Sequence, residues 1–240
     1  TVTERPALIA EAEGRLAQAS KETQRYAEEH GHLRGDVVRR TGEPPIPTTL
    51  GALIAAGRVA KVKGHRLDPQ HLLPEGHHKV LGPDEVCGGS SVGARRIDRA
   101  VRAAAYEHAA FTEPGDIVYT TTPHLSLMVD HDGFSVVAFP ARVLRVDPEA
   151  ERPLSPRVLA ALLGAARNTA RSPSSVRAAR RIEDFALPDL GPTDIERLDA
   201  LLADIERRQE LLRSQDEALA EIRRLTVTGF ADGTLTIDRP

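Results

Sequence analysis

Five side chains able to bind a metal, His65, His71, His77, His78 and Cys87, fall in one stretch of the chain. A zinc site needs closely spaced ligand pairs, and this set matches no such template. Pro69, Pro74 and Gly76 stand among them, so exposed loops are expected and no metal is assigned. Gly88 to Gly93 (GGSSVG) has the glycine spacing of a phosphate loop. Ala94 and Arg95 then occupy the places where such a loop needs Lys and Ser or Thr, so a flexible surface loop is expected there. No G-x-G-x-x-G follows a strand pattern. The Asn/Asp-Pro-Pro-aromatic tetrapeptide, which holds the target amino group in amino-methyltransferases, is also missing. These residues argue against a catalytic centre in this chain and against a bound cofactor.

The remaining chemistry is basic. Lys61, Lys63, His65 and Arg66 surround Gly64. Arg95, Arg96, Arg99 and Arg102 follow the Gly/Ser loop, and helical spacing would put Arg95, Arg99 and Arg102 near one face. Ser172, Ser174 and Ser175 lie in a Ser-rich run flanked by Arg171, Arg177, Arg180 and Arg181. Arg and Ser on loops hold phosphates, and Arg reads guanine edges. From Arg58 to His108 nine basic residues stand against six acidic ones; from Asp194 to Arg224 nine acidic residues stand against six basic. The formal net charge of −3 hides this segregation. A solvated face with compensating acids gives the same pattern, so charge alone does not choose.

The elements that must carry these residues are legible in outline. Apolar residues are 40% of the 240, enough for a buried core, while aromatic residues are 3%, so Ala, Leu, Val and Ile must fill it. A single cysteine excludes an intrachain disulfide and points to a reducing, cytoplasmic compartment. No apolar run reaches the ~20 residues of a membrane span, and 1–14 lacks a signal-peptide pattern.

Residues 1–43 read as an N-terminal helical segment with a seam of Ile9, Ala12, Leu16, Ala19, Thr23 and Tyr26, ended by TGEPPIP. Residues 48–190 read as a mixed α/β domain. Strands are predicted at Arg58–Lys63, His78–Leu81, Asp116–Thr121, Ser126–Val129 and Phe134–Val146, the last interrupted at Pro140. A helix is predicted from Ser155 as N-cap. Residues 193–225 read as a long helix begun by a Thr193–Glu196 capping box. Its coiled-coil-like stripe is Leu198, Leu202, Ile205, Leu212 and Leu219, with Gln209 and Asp216 as polar seam positions. Residues 226–240 read as a tail hairpin around Asp232–Gly233. The fold class is therefore α+β, with long helices at both ends.

The order of several short motifs resembles a known family. Thr49-Leu50-Gly51-Ala52-Leu53-Ile54 is similar to the opening of a target-recognition domain of type I restriction–modification specificity subunits. Phe111 to Val118 (FTEPGDIV) looks like that family's Pro-Gly-Asp-Ile approach to a central strand, and Ser155 to Leu163 like the helix after it. Ser172 to Arg181, then Ile182-Glu183-Asp184-Phe185, resembles its small polar loop and the step that follows. Leu187 to Leu190 resembles the way out toward the conserved helix, and Gly229 to Leu235 the tail beyond it. The chain departs from the pattern in having one recognition unit where two are usual. Gly191-Pro192-Thr193 also stands where a glutamine-rich helix start is usual.

The resemblance implies a non-catalytic subunit that reads half of a two-part site in double-stranded DNA and docks a methyltransferase subunit through its helix. The same type of domain is fused behind N-6 adenine methylase domains. On this basis Lys61, Lys63, His65, Arg66, Arg95, Arg96, Arg99, Ser172, Ser174, Ser175 and Arg177 are the expected DNA contacts. Leu198, Leu202, Ile205, Leu212 and Leu219 are the expected partner stripe, with a homodimer as the expected assembly. A helical scaffold whose α/β domain binds a protein is the alternative, and an enzyme with an unrecognised site a third.

Overall fold

A computed structural model describes residues 5–31, 46–169 and 181–236. The chain divides into two compact units, Arg40–Asp199 and the combination of Thr1–Arg39 with Ala200–Pro240. In chain order the elements are α1 (Arg5–His30), β1 (Pro47–Thr49), α2 (Leu50–Ala55), β2 (Val59–Lys63), β3 (His78–Leu81), α3 (Pro83–Gly88), β4 (Arg96–Ile97) and α4 (Arg99–Ala105). There follow β5 (Asp116–Thr120), β6 (Ser126–Asp130), β7 (Val136–Val137), β8 (Arg142–Val146), α5 (Pro156–Thr169), β9 (Ala186–Pro188) and α6 (Pro192–Ala231). The fold class is mixed α/β, as the sequence implied.

In Arg40–Asp199 an antiparallel sheet of order β2-β8-β5-β6 is the centre. Alternation along the strands sends successive side chains to opposite faces. On β8, Leu144 joins a cluster with Val59, Ile117, Leu159 and Leu163, roofed by α2 and α5. Its neighbour Val143 joins Val118, Leu81, Val86 and Val137 on the other face. A second sheet, β4-β3-β7, encloses Val80, Ile97, Tyr106 and Val136. Each fully buried Leu or Val stabilises by roughly 1.5–3 kcal/mol relative to exposure. The pairing of β1 with β9 closes the unit, setting Thr48 opposite Leu187.

The Pro-Gly-Asp-Ile motif has a physical reason. Gly115 takes a positive φ of 91°, which glycine adopts without a Cβ penalty. Asp116 is 1% exposed, and its carboxylate accepts Arg145 Nε at 2.9 Å and Nη2 at 2.7 Å in a two-pronged pair. It also accepts the Glu113 backbone N–H at 2.8 Å, fixing the turn that feeds β5.

Besides short elements not predicted from the sequence (β1, α2, α3, β4, α4 and β9), the predicted elements differ from the observed ones in four respects. The run Phe134–Val146 forms two strands, β7 and β8, broken around Pro140, whose ring cannot donate to a ladder. The long helix starts at Pro192, the favoured first helical residue, so Gly191 precedes it and Thr193 is already inside. Helix also replaces the expected strand after 225: α6 continues to Ala231, and Gly233, at φ 72°, ends it. Gly233 N–H donates to Phe230 O and Thr234 N–H to Gly229 O, which is a Schellman stop in place of a hairpin turn.

The fourth difference is register. In the helical unit α1 and α6 run antiparallel, tied by Arg5 to Asp232, Tyr26 Oη to Asp204 Oδ1 at 2.8 Å, and Arg208 Nη2 to Gly31 O at 2.9 Å. The α1 seam is as expected, with Ala12 and Ala19 buried. On α6 the buried apolar residues are Ile195, Leu211, Ala218 and Leu225, and from Leu211 onward they lie beside the expected partner stripe, not on it. Leu198, Leu202 and Ile205 are half-buried, whereas Leu212 is 58% and Leu219 52% exposed. Ala218 lines the groove against α1, and Gly229 lets the tail fold back on α6, since a Cβ there would meet Leu235 at 2.4 Å.

Candidate nucleic-acid interface

One face of the central sheet starts apolar and ends charged. Along β2, Val59, Lys61 and Lys63 share a face because side chains repeat every two residues. Val59 lies in the core, opposite Val146. Lys61 lies opposite Leu144, and Lys63 opposite Arg142. Lys61 is ion-paired with Glu183, which comes from the 3-10 turn Ile182–Asp184. The hydrogen bond from Lys61 holds the Glu183 carboxyl below the usual range. Lys63 and Arg142 are exposed.

Gly64 then turns the chain at the sheet edge. A Cβ there would lie 2.2 Å from Ala141 O, so no other residue fits. The close approach lets His65 N–H donate to Val137 O and His65 O accept from Phe139 N–H, both at 2.8 Å. The His65 ring is half-buried, edge-on to Tyr106 at 5.5 Å. Tyr106 Oη accepts from Asp68 N–H at 2.9 Å and lies 2.8 Å from His71 Nδ1. Arg66 is exposed, with its guanidinium 5.1 Å from the Phe139 ring centre. Phe139 is itself 49% exposed, so the pair is an open cation–π surface.

The second basic group is spread over three settings. The Gly88–Gly93 run is a helix stop: Gly89, at φ 66°, caps α3, with Gly89 N–H to Val86 O and Ser90 N–H to Glu85 O. Arg95 is exposed in the turn beyond it, and Arg96 is half-buried on β4. Arg99 is exposed on the first residue of α4, after the Asp98 N-cap. Arg95 precedes that helix, so the expected common face of Arg95, Arg99 and Arg102 does not form. Arg102 folds back to lie 4.4 Å from the Phe111 ring centre and donates to Ala109 O at 3.0 Å, a structural role. Burial, then the nearby Arg102 and His77, push the His78 pKa down, so this ring favours its neutral form.

Ser172, Ser174, Ser175 and Arg177 lie outside the described residues. Their flanks are described: α5 ends at Thr169, and the chain resumes at Arg181, two residues before Glu183. Lys61 and the described turn Ile182–Asp184 thus meet at one end of the sheet.

Three residues absent from the sequence-based set belong to this end: Arg142, Tyr119 and Glu183. Strand register brings Arg142 and Tyr119 together and the ion pair with Lys61 brings Glu183, so spacing along the chain gave no signal. The groove between α1 and α6 is mainly acidic, with Glu11, Glu22, Glu217 and Glu221 against the one cation Arg15 in its lining. Among the described residues no three His, Cys, Asp or Glu side chains converge as a metal would require. No described helix is long and apolar enough to cross a membrane.

No family model matches the chain, and no curated protein matches it. Solved structures do. One is a chain from a structure described as the basis of complex assembly and conformational transition of the type I R-M system, with 13% identity and a TM-score of 0.47. It covers 96% of this chain and 56% of that one. Another is the HsdS subunit from Thermoanaerobacter tengcongensis, with 13% identity and a TM-score of 0.47, covering 93% of this chain and 54% of that one. The chain therefore spans about half the length of the solved chains it matches. One of these chains thus comes from a type I R-M system, and the other is described as an HsdS subunit.

Proposed function

We propose that this chain recognises double-stranded DNA for a restriction–modification or N-6 adenine methylation system, without a catalytic centre of its own. The observation that carries the reading is the charged end of the central sheet. Lys61, Lys63 and Arg142 stand there beside the turn Ile182–Asp184, with one carboxylate, Glu183, among them. Arg66, Arg95 and Arg99 add exposed cations on turns and at a helix start. Cations of this kind set register on phosphates; base edges are then read by side chains on loops. The acidic α1–α6 groove suits a protein partner better than DNA, and α6 is the proposed docking helix for a methyltransferase subunit and for a second copy of the chain. A second copy would supply the other half of a two-part site.

Mapping of methylated bases in the host genome tests this directly. Deleting the gene should abolish one defined modified motif and leave others intact. An unchanged methylation map, together with no salt-dependent duplex binding by the purified protein, would sink the reading.

A further inference from the structure

Three neighbouring strands place Lys63, Arg142 and Tyr119 in one row. Lys63 is opposite Arg142 across β2 and β8, and Arg142 is opposite Tyr119 across β8 and β5. Directly opposed residues of antiparallel strands project on the same face, so the three side chains are lateral neighbours. At ~4.8 Å between strands the row spans roughly 10 Å, within reach of flexible Lys and Arg stems. Two like charges directly opposed destabilise a sheet unless an anion sits between them. No described residue makes an ion pair with either, and Glu183, the carboxylate near enough to act on Arg142, is ion-paired with Lys61.

Tyr119 adds a second, independent sign. It is 2% exposed, and its hydroxyl makes no hydrogen bond of good geometry among the described residues, although Lys61 and Arg142 both stand close enough to act on it as weak donors. A buried hydroxyl left unpaired costs about 1–3 kcal/mol, a cost that Phe in the same space would not carry. Its ring belongs to the core with Ile117 and Leu144, while its hydroxyl lies toward Lys61 and Arg142, the charged end.

We propose that Lys63, Arg142 and the Tyr119 hydroxyl form a seat for one phosphate oxyanion, which in the working protein is a backbone phosphate of duplex DNA. Arg142 and Lys63 supply charge-assisted donors, and the phenol supplies a short neutral donor from below. Glu183 lines the same end and competes with the anion for these donors. The choice of ligand rests on the DNA reading above; the seat itself rests on the row.

The test uses the full chain and three variants, Lys63→Ala, Arg142→Ala and Tyr119→Phe, against a mixed-sequence DNA duplex through a salt series and against inorganic phosphate by calorimetry. Lys63→Ala and Arg142→Ala should each flatten the slope of log affinity against log salt by about 1. Tyr119→Phe should leave the slope alone, weaken duplex binding roughly 3- to 10-fold at every salt, and keep or raise the thermal midpoint. A lowered midpoint in Tyr119→Phe would mean that the hydroxyl is already partnered, and would overturn the seat. Duplex binding that none of the three variants alters would also overturn it while leaving the DNA reading standing. Inorganic phosphate binding that is lost in Arg142→Ala, with no duplex binding by the wild type, would establish the seat and remove the DNA reading. A wild type that binds neither probe removes both.

Discussion

At the scale of single residues, charge is sorted into groups that hold the fold and groups left open. Arg145 and Arg142 are three apart on β8 and lie on opposite faces. Arg145 is consumed by the buried Asp116 and by Glu113, whereas Arg142 stays exposed. Removing Asp116 strands a guanidinium in a site built for a carboxylate. Asp116→Ala should therefore destabilise the chain by about 3 kcal/mol in a urea titration, and a shift under ~1 kcal/mol would show that the pair is dispensable. Glu183→Gln acts in the other direction. It keeps the shape of the 3-10 turn but releases Lys61 from its ion pair. Duplex affinity should rise, and the salt slope should steepen by about 1; weaker binding would make Glu183 a DNA-reading group instead of a competitor. None of this sorting was legible in the sequence. Arg142 and Arg145 sit in the same strand pattern, and only cross-strand register shows which one meets a carboxylate.

At the scale of elements, the strands were legible where alternation is strong. The expected and observed limits of β3 coincide, and those of β2, β5 and β6 agree within one residue. The Ser155 cap was legible for a local reason: its hydroxyl accepts the Val158 N–H at 3.1 Å. The α6 register was not. Leu211 and Leu212 are adjacent, both are large and apolar, and the choice between them falls to the partner surface on α1, whose seam is made of Ala12 and Ala19. Alanine seams leave little hydrophobic signal, so the sequence does not show which of the two leucines packs within the chain and which is left for the expected partner stripe. The structure gives the two leucines opposite fates, and stability measurements should separate them. Leu211→Asp buries a carboxylate against α1 and should cost roughly 3 kcal/mol or more. Leu212→Asp should stay within ~0.5 kcal/mol, as surface changes do. Equal losses for the two would mean that the register is wrong.

At the scale of the whole molecule, the unburied stripe becomes an argument about assembly. With α1 covering Leu211, Ala218 and Leu225, the residues Leu212, Leu219, Val227 and Phe230 remain between 44% and 60% exposed on α6. At 40 residues, this helix is about 60 Å long, and its open apolar side runs along the C-terminal half. An apolar strip of that extent favours a covering partner, because leaving it in water invites nonspecific association. A second copy meets the need with the same strip on both sides, the arrangement that twofold symmetry requires. It would also bring two recognition units to one DNA molecule. Light scattering over a concentration series should then show a dimer for the wild type and a monomer for Leu212→Asp combined with Leu219→Asp. Because both side chains are already exposed in the single chain, the double variant should keep the wild-type thermal midpoint at low concentration, so loss of pairing cannot be confused with loss of folding. In the DNA assay the double variant should lose affinity for a two-part site far more than for an isolated half-site, since linked binding multiplies effective concentration. A wild type that stays monomeric at high concentration would remove the second copy and leave the strip to a methyltransferase subunit, in which case adding that subunit should restore two-part recognition to the wild type and not to the double variant.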